Sequence, residues 1–331
     1  FFISKGIIIL MKVLVVGAGI SGCICARRLS DFGHEVTVVE KGRGVGGRMS
    51  TRRMNGARID HGAQFFTIRD NRLLGYLQEW LNGDSVAEWY DHVPNRSDLA
   101  DRSRFRGVLG MTDPAQHLSK NLRVEKNFLA DFIQWSEGEW TVKEKGTSGR
   151  SLHVDHLVLT LPVPQMLELF SRNSFELQPQ VMSKLKDISY SSCLAFFGLL
   201  DRTSSVSYPG TITHPTPQVD WLADNQVKGI SQKPSFTLHA SATFSDEIWN
   251  ASDQEAVLPL IPVVEQLMQA RILEWAIHRW RFAKPLVSFG ESHLHSTDIN
   301  LSLAGDGFGG QRIENAAISG WEAAESIIQG V

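Results

Sequence analysis

KVLVVGAGISGCICARRLSDFGHEVTVVEKGRGVGGRMS, residues 12–50, opens on one β-branched run (12–16) and reaches a second at 35–39, with Ile20, Ile24 and Leu29 at roughly helical spacing between them. That pattern predicts strand, helix, strand. The turn from the first strand into the helix is Gly17-Ala18-Gly19-Ile20-Ser21-Gly22, and Glu40 closes the second strand 23 residues after Gly17. Gly17 permits the tight turn, Gly19 lets backbone N–H groups approach a pyrophosphate, and Gly22 brings the helix close to the strand. Glu40 stands where a carboxylate accepts both hydroxyls of a ribose. The same glycine spacing recurs at 42–47 and 305–310, but only the first copy has a strand before it, a helix after it, a second strand and the closing acid. The chain therefore reads as α/β, with a doubly wound unit that holds a dinucleotide.

The second glycine stretch, 42–51, follows Glu40 directly, where a dehydrogenase would proceed to its next helix. Its close glycines leave backbone open to phosphate, and Arg48 adds a charge with bidentate geometry. The third stretch, Leu303 to Gly310, has only 21 residues after it, too few for another crossover and strand. It cannot be a second nucleotide fold. Asp306 is instead placed to accept from a ribityl hydroxyl, with the free N–H groups near Ile313 facing a flavin pyrimidine. The three stretches in this order point to flavin adenine dinucleotide.

Outward from these motifs, the 331 residues suggest about two domains, and 42% hydrophobic with 21% charged residues is an ordinary globular composition. With 33 basic and 36 acidic residues the formal charge is −3, so no overall field favours nucleic acid or an anionic membrane. Cys23, Cys25 and Cys193 are too few for a disulfide framework and match no standard metal site, so no metal is expected. No apolar run approaches the 18 residues of a membrane span, and the chain reads as soluble and cytoplasmic. Residues 1–10 precede Met11 without a basic leader or a cleavage site and read as translation from upstream of the start. Strands are expected at 128–134, 139–145, 154–161, 194–200, 210–214 and 236–242. A largely helical stretch is expected over 254–276, and a closing strand and helix at 301–304 and 313–328.

Several stretches together resemble the renalases, within the wider flavin-containing amine oxidases: GGRMSTRR (46–53), DHGAQFFT (60–67), LVLTLPVP (157–164), ISYSS (188–192), DWLADN (220–225), LHASATFS (238–245), HRWRFAKP (278–285) and AGDGF (304–308). The resemblance runs from Met11 onward. It implies a discontinuous, glutathione-reductase-like Rossmann domain for FAD over 11–70, 105–164 and 285–331, and a smaller α+β substrate domain with a mixed sheet over 71–104 and 165–284. It implies oxidation of 2- or 6-dihydro isomers of NAD(P), with electrons passed to dioxygen to give hydrogen peroxide. Carried over residue by residue, the cofactor set is Gly17, Gly19, Ile20, Ser21, Gly22, Glu40, Lys41, Gly47, Arg48, Met49, Gly62, Ala63, Gln64, Phe65, Leu129, Asp306, Gly307 and Ile313. Many amine oxidases place a lysine beside flavin N5; here Ser192 falls at that position, and no cysteine near Gly305 suggests a covalent flavin, so FAD is expected to be non-covalent.

Gln64 and His239 are the candidate catalytic residues. Gln64 follows Gly62-Ala63 where the resemblance puts the chain beneath the isoalloxazine, and alternation places Thr237, His239 and Ser241 on one strand face, from which His239 can hydrogen-bond a carboxamide. His61 is a conceivable flavin attachment point or simply a partner of its neighbours. Arg279, Trp280 and Arg281 are candidates for phosphate attraction and ring stacking, or an amphipathic strand. The partners are thus a small dihydronicotinamide substrate and O2, with oligomeric state left open. The rivals are an FAD-dependent amine oxidase or desaturase of a small organic substrate, and a flavoprotein without turnover.

Overall fold

Every residue of the first strand, Lys12–Val16, after its lysine is apolar because the strand is covered on both faces. In the structure, a computed structural model describing residues 10–91, 102–146 and 149–330, Val13 and Val15 face one core and Leu14 and Val16 the other. The proposed upstream extension, residues 1–9 in particular, lies outside the described residues. The strand sits inside a six-stranded sheet ordered Leu294–Ser296, Leu301–Leu303, His156–Leu159, Lys12–Val16, Glu35–Glu40, Arg123–Lys126. Its pairings are parallel except at the 294–296 edge. On one face, helices Ile20–Phe32 and Ile313–Gln329 pack so closely that a Cβ on Gly320 would lie 2.0 Å from the Ser21 carbonyl oxygen. The other face is covered by the antiparallel sheet Ala130–Ser136, Glu139–Glu144, Ser151–Val154 and the helix Val163–Arg172. This is a mixed α/β fold with a Rossmann-like dinucleotide unit.

A second sheet of five strands runs Thr211–Thr216, Val219–Asp224, Ser235–Ala240, Tyr190–Leu200, Ile272–Pro285. It corrects the expected mixed sheet, because all four pairings are antiparallel. Within it 211–240 is a meander, while 190–200 lies between 235–240 and 272–285, neighbours that do not follow it directly in sequence. It also corrects the helical reading of 254–276. Helices Asp253–Val257 and Ile261–Met268 form, but Gln269 takes a left-handed conformation (φ 53°) and strand begins at Ile272. Pairing with Leu200 through Ala276↔Phe197 overrides the local helical pattern. The helices bury one face of this sheet, and Ala57 and Ile59 meet Ala195 and Phe197 on the other. Among the described residues no helix is long and apolar enough to cross a membrane.

Candidate active site

The first glycine stretch builds a cradle. Gly17 has φ +107°, and a Cβ there would lie 2.7 Å from the Thr160 hydroxyl oxygen; one on Gly22 would lie 2.0 Å from the Gly17 carbonyl oxygen. Gly19 differs: it lines the main cavity, and an added Cβ would meet no protein atom within 4 Å. A side chain there would fill space the fold keeps open. Gly19 also caps helix Ile20–Phe32 without any side-chain hydrogen bond, so the first N–H groups of that helix, beside Ile20 and Ser21, remain available to an anion. Glu40 ends its strand against this loop, accepting from the N–H of Ala18 (2.9 Å) and of Gly42 (2.7 Å). Each oxygen keeps a further lone pair for a ribose hydroxyl.

The second stretch docks on the first. The Gly46 N–H donates to the Ala18 carbonyl (2.8 Å), and Gly47, at φ +54°, backs onto Gly19. Arg48 and Met49 reach the cavity wall. Arg48 closes on the third stretch, 258 residues away in sequence: Nη1 and Nη2 donate to the two oxygens of Asp306 at 2.5 and 2.7 Å. Tyr190 donates to the same carboxylate (3.3 Å). Ile313 lines the wall as the first residue of the terminal helix, again with no side-chain cap. The polar partners converge where the three glycine stretches meet.

Other cofactor candidates stand behind or beyond this wall. Gly307 packs against Tyr190 and Val163, each 2.7 Å from an added Cβ. Lys41 is exposed and donates to Gln165 (3.3 Å), and Leu129 is 39% exposed, just past the end of the second strand, where the Phe128 N–H bonds the Glu40 carbonyl. Neither lines the main cavity.

Gly62, Ala63, Gln64 and Phe65 form a lip of the cavity beside Arg48, whose carbonyl accepts from the Ala63 N–H (2.9 Å). They are held from beneath by a buried polar cluster. Asp60 and Lys228, with both side chains fully buried, pair at 2.6 Å. Asp60 also accepts from the Thr51 hydroxyl (2.6 Å) and the Met111 N–H (2.8 Å). Burial pulls the Lys228 ammonium below its usual range, and the Asp60 charge opposes that pull. Gln64 spends its amide here: Nε2 donates to the carbonyls of Asp60 (2.6 Å) and Gly62 (2.9 Å), and Oε1 accepts from Lys228 (3.4 Å). Thr237 donates to the Asp60 carbonyl (2.9 Å) and accepts from Asn225 (3.1 Å).

His239 and Trp280 line the cavity, and both donate to the His61 carbonyl, at 3.3 and 3.0 Å. A carbonyl only accepts, so His239 carries its hydrogen on Nε2. Burial pushes this imidazole down to about 4, despite the hydrogen bond to His61. The His61 ring does not line the cavity; it stacks on Trp280 (5.4 Å, 23°) and abuts Phe197 and His278, which removes it as an attachment point. Alternation along Ile272–Pro285 turns Trp280 inward and its neighbours away. Arg279 pairs with Asp253 (2.6 Å), and Arg281 lies over Trp249. Ser192 is on the wall and donates to Asp246 (2.6 Å). Lys284, opposite Ser191 in the sheet, is on the wall too. Sequence reading missed Lys284, Lys228 and Tyr190. Lys284 and Tyr190 lie within the quoted stretches HRWRFAKP and ISYSS, but neither was singled out there. Among the described residues, no group of three or more His, Cys, Asp or Glu is placed to hold a metal.

The cavity measures about 1240 Å³, beyond the roughly 300–1000 Å³ of a typical single-ligand pocket. It has room for an extended dinucleotide and a second molecule; its open Gly19 cradle and uncapped helix starts, with Glu40 behind the glycine loop and outside the cavity lining, fit FAD. Two family profiles match the chain: an NAD(P)-binding Rossmann-like domain over residues 15–80, and flavin containing amine oxidoreductase over residues 99–328. Mouse renalase is 23% identical over 323 residues, covering 90% of this chain and 93% of that protein. A 4,4'-diapophytoene desaturase of Staphylococcus aureus is 42% identical, over only 60 residues and 12% of its length. A solved putrescine oxidase bound to putrescine superposes with a TM-score of 0.73 at 15% identity, over 97% of this chain and 99% of that one, a likeness of fold.

Proposed function

The chain belongs to the flavin-containing amine oxidoreductases and is an FAD-dependent oxidoreductase, and from that premise we propose that it oxidises 2- or 6-dihydro isomers of NAD(P). Bound FAD would supply the two-electron chemistry, taking hydride from the misreduced ring and, with a proton from solvent, delivering both electrons to dioxygen as hydrogen peroxide. The FAD would be held without a covalent bond by the Gly17–Gly22 loop, Glu40, Arg48, Asp306 and the start of the terminal helix. The Gly62–Phe65 lip, His239 and Trp280 would hold the nicotinamide.

One observation carries this substrate reading: among the described residues, every carboxylate on the wall already has a polar partner. Asp306 is taken by Arg48, Glu314 by the N–H groups of Arg69 and Asp70, and Asp220 lies 3.5 Å from His214. The groups nearest the His61 carbonyl are neutral, the His239 imidazole and the Trp280 indole. A dihydronicotinamide needs no base on the enzyme, because loss of hydride leaves an aromatic pyridinium and positioning supplies the catalysis. His239 and Gln64 are assigned to that positioning. Peroxide formation in air tests the reading: each isomer should yield peroxide in proportion to NAD(P)+, and an alkyl diamine should yield none. Peroxide from the diamine alone would make the chain an amine oxidase.

A further inference from the structure

The chain bears a formal charge of −3, yet its cavity wall is cationic. Arg48, Arg69, Arg104, Lys284 and Arg312 line it, against the carboxylates Asp220, Asp306 and Glu314. Arg48 is neutralised by Asp306. None of the other four cations forms an ion pair among the described residues.

Arg104 is the most enclosed of them, at 8% exposure. It begins the strand Arg104–Gly107, with its guanidinium carbon 4.9 Å from the centre of the Tyr90 ring and 5.7 Å from that of Phe65. Trp221 packs 5.8 Å from Phe65, and all four residues line the cavity. Nη1 donates to the carbonyls of Asp91 (3.1 Å) and Arg102 (3.2 Å), both neutral acceptors, while Nε and Nη2 have no acceptor among the described residues. An arginine stays charged in a protein, and enclosing a charge without a counter-charge is unfavourable. The rings flank the guanidinium, and its Nε–Nη2 edge is left without an acceptor among the described residues, an arrangement suited to bidentate binding of a phosphate. Arg69 and Arg312 stand farther out, shared between the cavity and an adjoining cleft of about 570 Å³. Desolvation first, then the nearby Arg312 and Arg102, hold the Arg69 guanidinium below its ordinary range, against the opposing charge of Glu314.

We propose that Arg104, framed by Phe65 and Tyr90, binds a phosphate of the substrate, and that Arg69 and Arg312 draw that anion to the cavity. This rests on the nucleotide reading of the substrate. The cofactor's own pyrophosphate would take the glycine cradle and the uncapped start of helix Ile20–Phe32. Phosphate on the substrate has two sources, the 5′-linked phosphates and the 2′-phosphate of an NADP isomer.

The first test is independent of turnover: calorimetric titration of the FAD-loaded protein with inorganic pyrophosphate. Arg104→Met keeps much of the apolar stem and should raise the dissociation constant about tenfold or more, the loss expected for a charge-assisted hydrogen bond. The exposed pair Arg69→Gln/Arg312→Gln, which carries no risk to the core, should flatten the salt dependence of binding. The second test compares dihydronicotinamide riboside with its mononucleotide and dinucleotides in anaerobic reduction. Arg104→Met should weaken the phosphorylated forms and leave the riboside unchanged. A loss confined to the 2′-phosphorylated dinucleotide assigns the site to that group; a loss already present in the mononucleotide assigns it to the 5′-phosphate. Unchanged pyrophosphate binding in both variants, or an equal loss for the riboside, overturns the proposal. If no dihydronicotinamide reduces the flavin while Arg104→Met still weakens pyrophosphate, the substrate reading falls and the anion site stands.

Discussion

Removing the carboxylate of Glu40 would strand the N–H groups of Ala18 and Gly42 and take an acceptor from the ribose. Glu40→Ala should lower FAD affinity by about 1.5–3 kcal/mol, or roughly tenfold to a hundredfold, measured by flavin retained on dialysis. Lys228 carries a different burden, since it is fully buried and its partner Asp60 supports the cavity lip. Lys228→Met leaves a buried carboxylate without its counter-charge and should cost about 3–5 kcal/mol of stability in chemical unfolding. His61 and His239 are both pushed down to about 4 by burial, His61 also by His278, against about 6.5 in an unfolded chain. Between those values the unfolded chain binds more protons than the folded one. Their contribution to stability is therefore complete above about pH 6.5 and is lost as pH falls through about 4. We expect Tm to drop across that window, more steeply than in His239→Asn. For the same reason His239 stays neutral from pH 6 to 9, and single-turnover flavin reduction should vary by less than about threefold over that range. A steep limb abolished by replacing His239 would reveal an essential base.

Helix Ile20–Phe32 can enter the fold only because Gly22 lets it lie against the first strand. Gly22→Ala places a Cβ 2.0 Å from the Gly17 carbonyl oxygen, a backbone atom that cannot swing aside. The helix must shift, at about 1–3 kcal/mol of stability, and the purified variant should be pale. Elements of this kind were legible in the sequence. The run 12–16, the glycine turn and the closing Glu40 carry their own local signals, and the strand-helix-strand unit forms where those signals put it. Elements set by distant partners were not. Residues 272–276 look helical by spacing, yet they pair with a strand more than 70 residues earlier. The sheet they join is antiparallel where the family resemblance implied a mixed one. The arginines of HRWRF looked like phosphate ligands, and strand alternation turns them away from the cavity and leaves Trp280 facing it.

At the scale of the molecule, the dinucleotide cradle was readable because its residues cluster in three short stretches. The other half of the cavity was not. The Asp60–Lys228 pair spans 168 residues, and the Arg104 frame draws Phe65, Tyr90 and Trp221 from separate elements. No spacing rule links them before the chain folds. The same assembly joins Arg48 to Asp306, so the candidate cofactor cleft is closed by a contact between the first and last parts of the chain. Stopped-flow reduction of the flavin without oxygen tests what this cavity is for. At matched concentrations, the 2- or 6-dihydro isomer should bleach the flavin rapidly, and readmitted oxygen should restore the yellow colour with peroxide. The 4-dihydro coenzyme should be slower by on the order of a hundredfold, the penalty of about 1 Å of misplacement, and an alkyl amine should leave the colour unchanged. Bleaching by the 4-dihydro coenzyme as fast as by the isomers, or by the amine alone, would contradict a cavity built for misreduced nicotinamides.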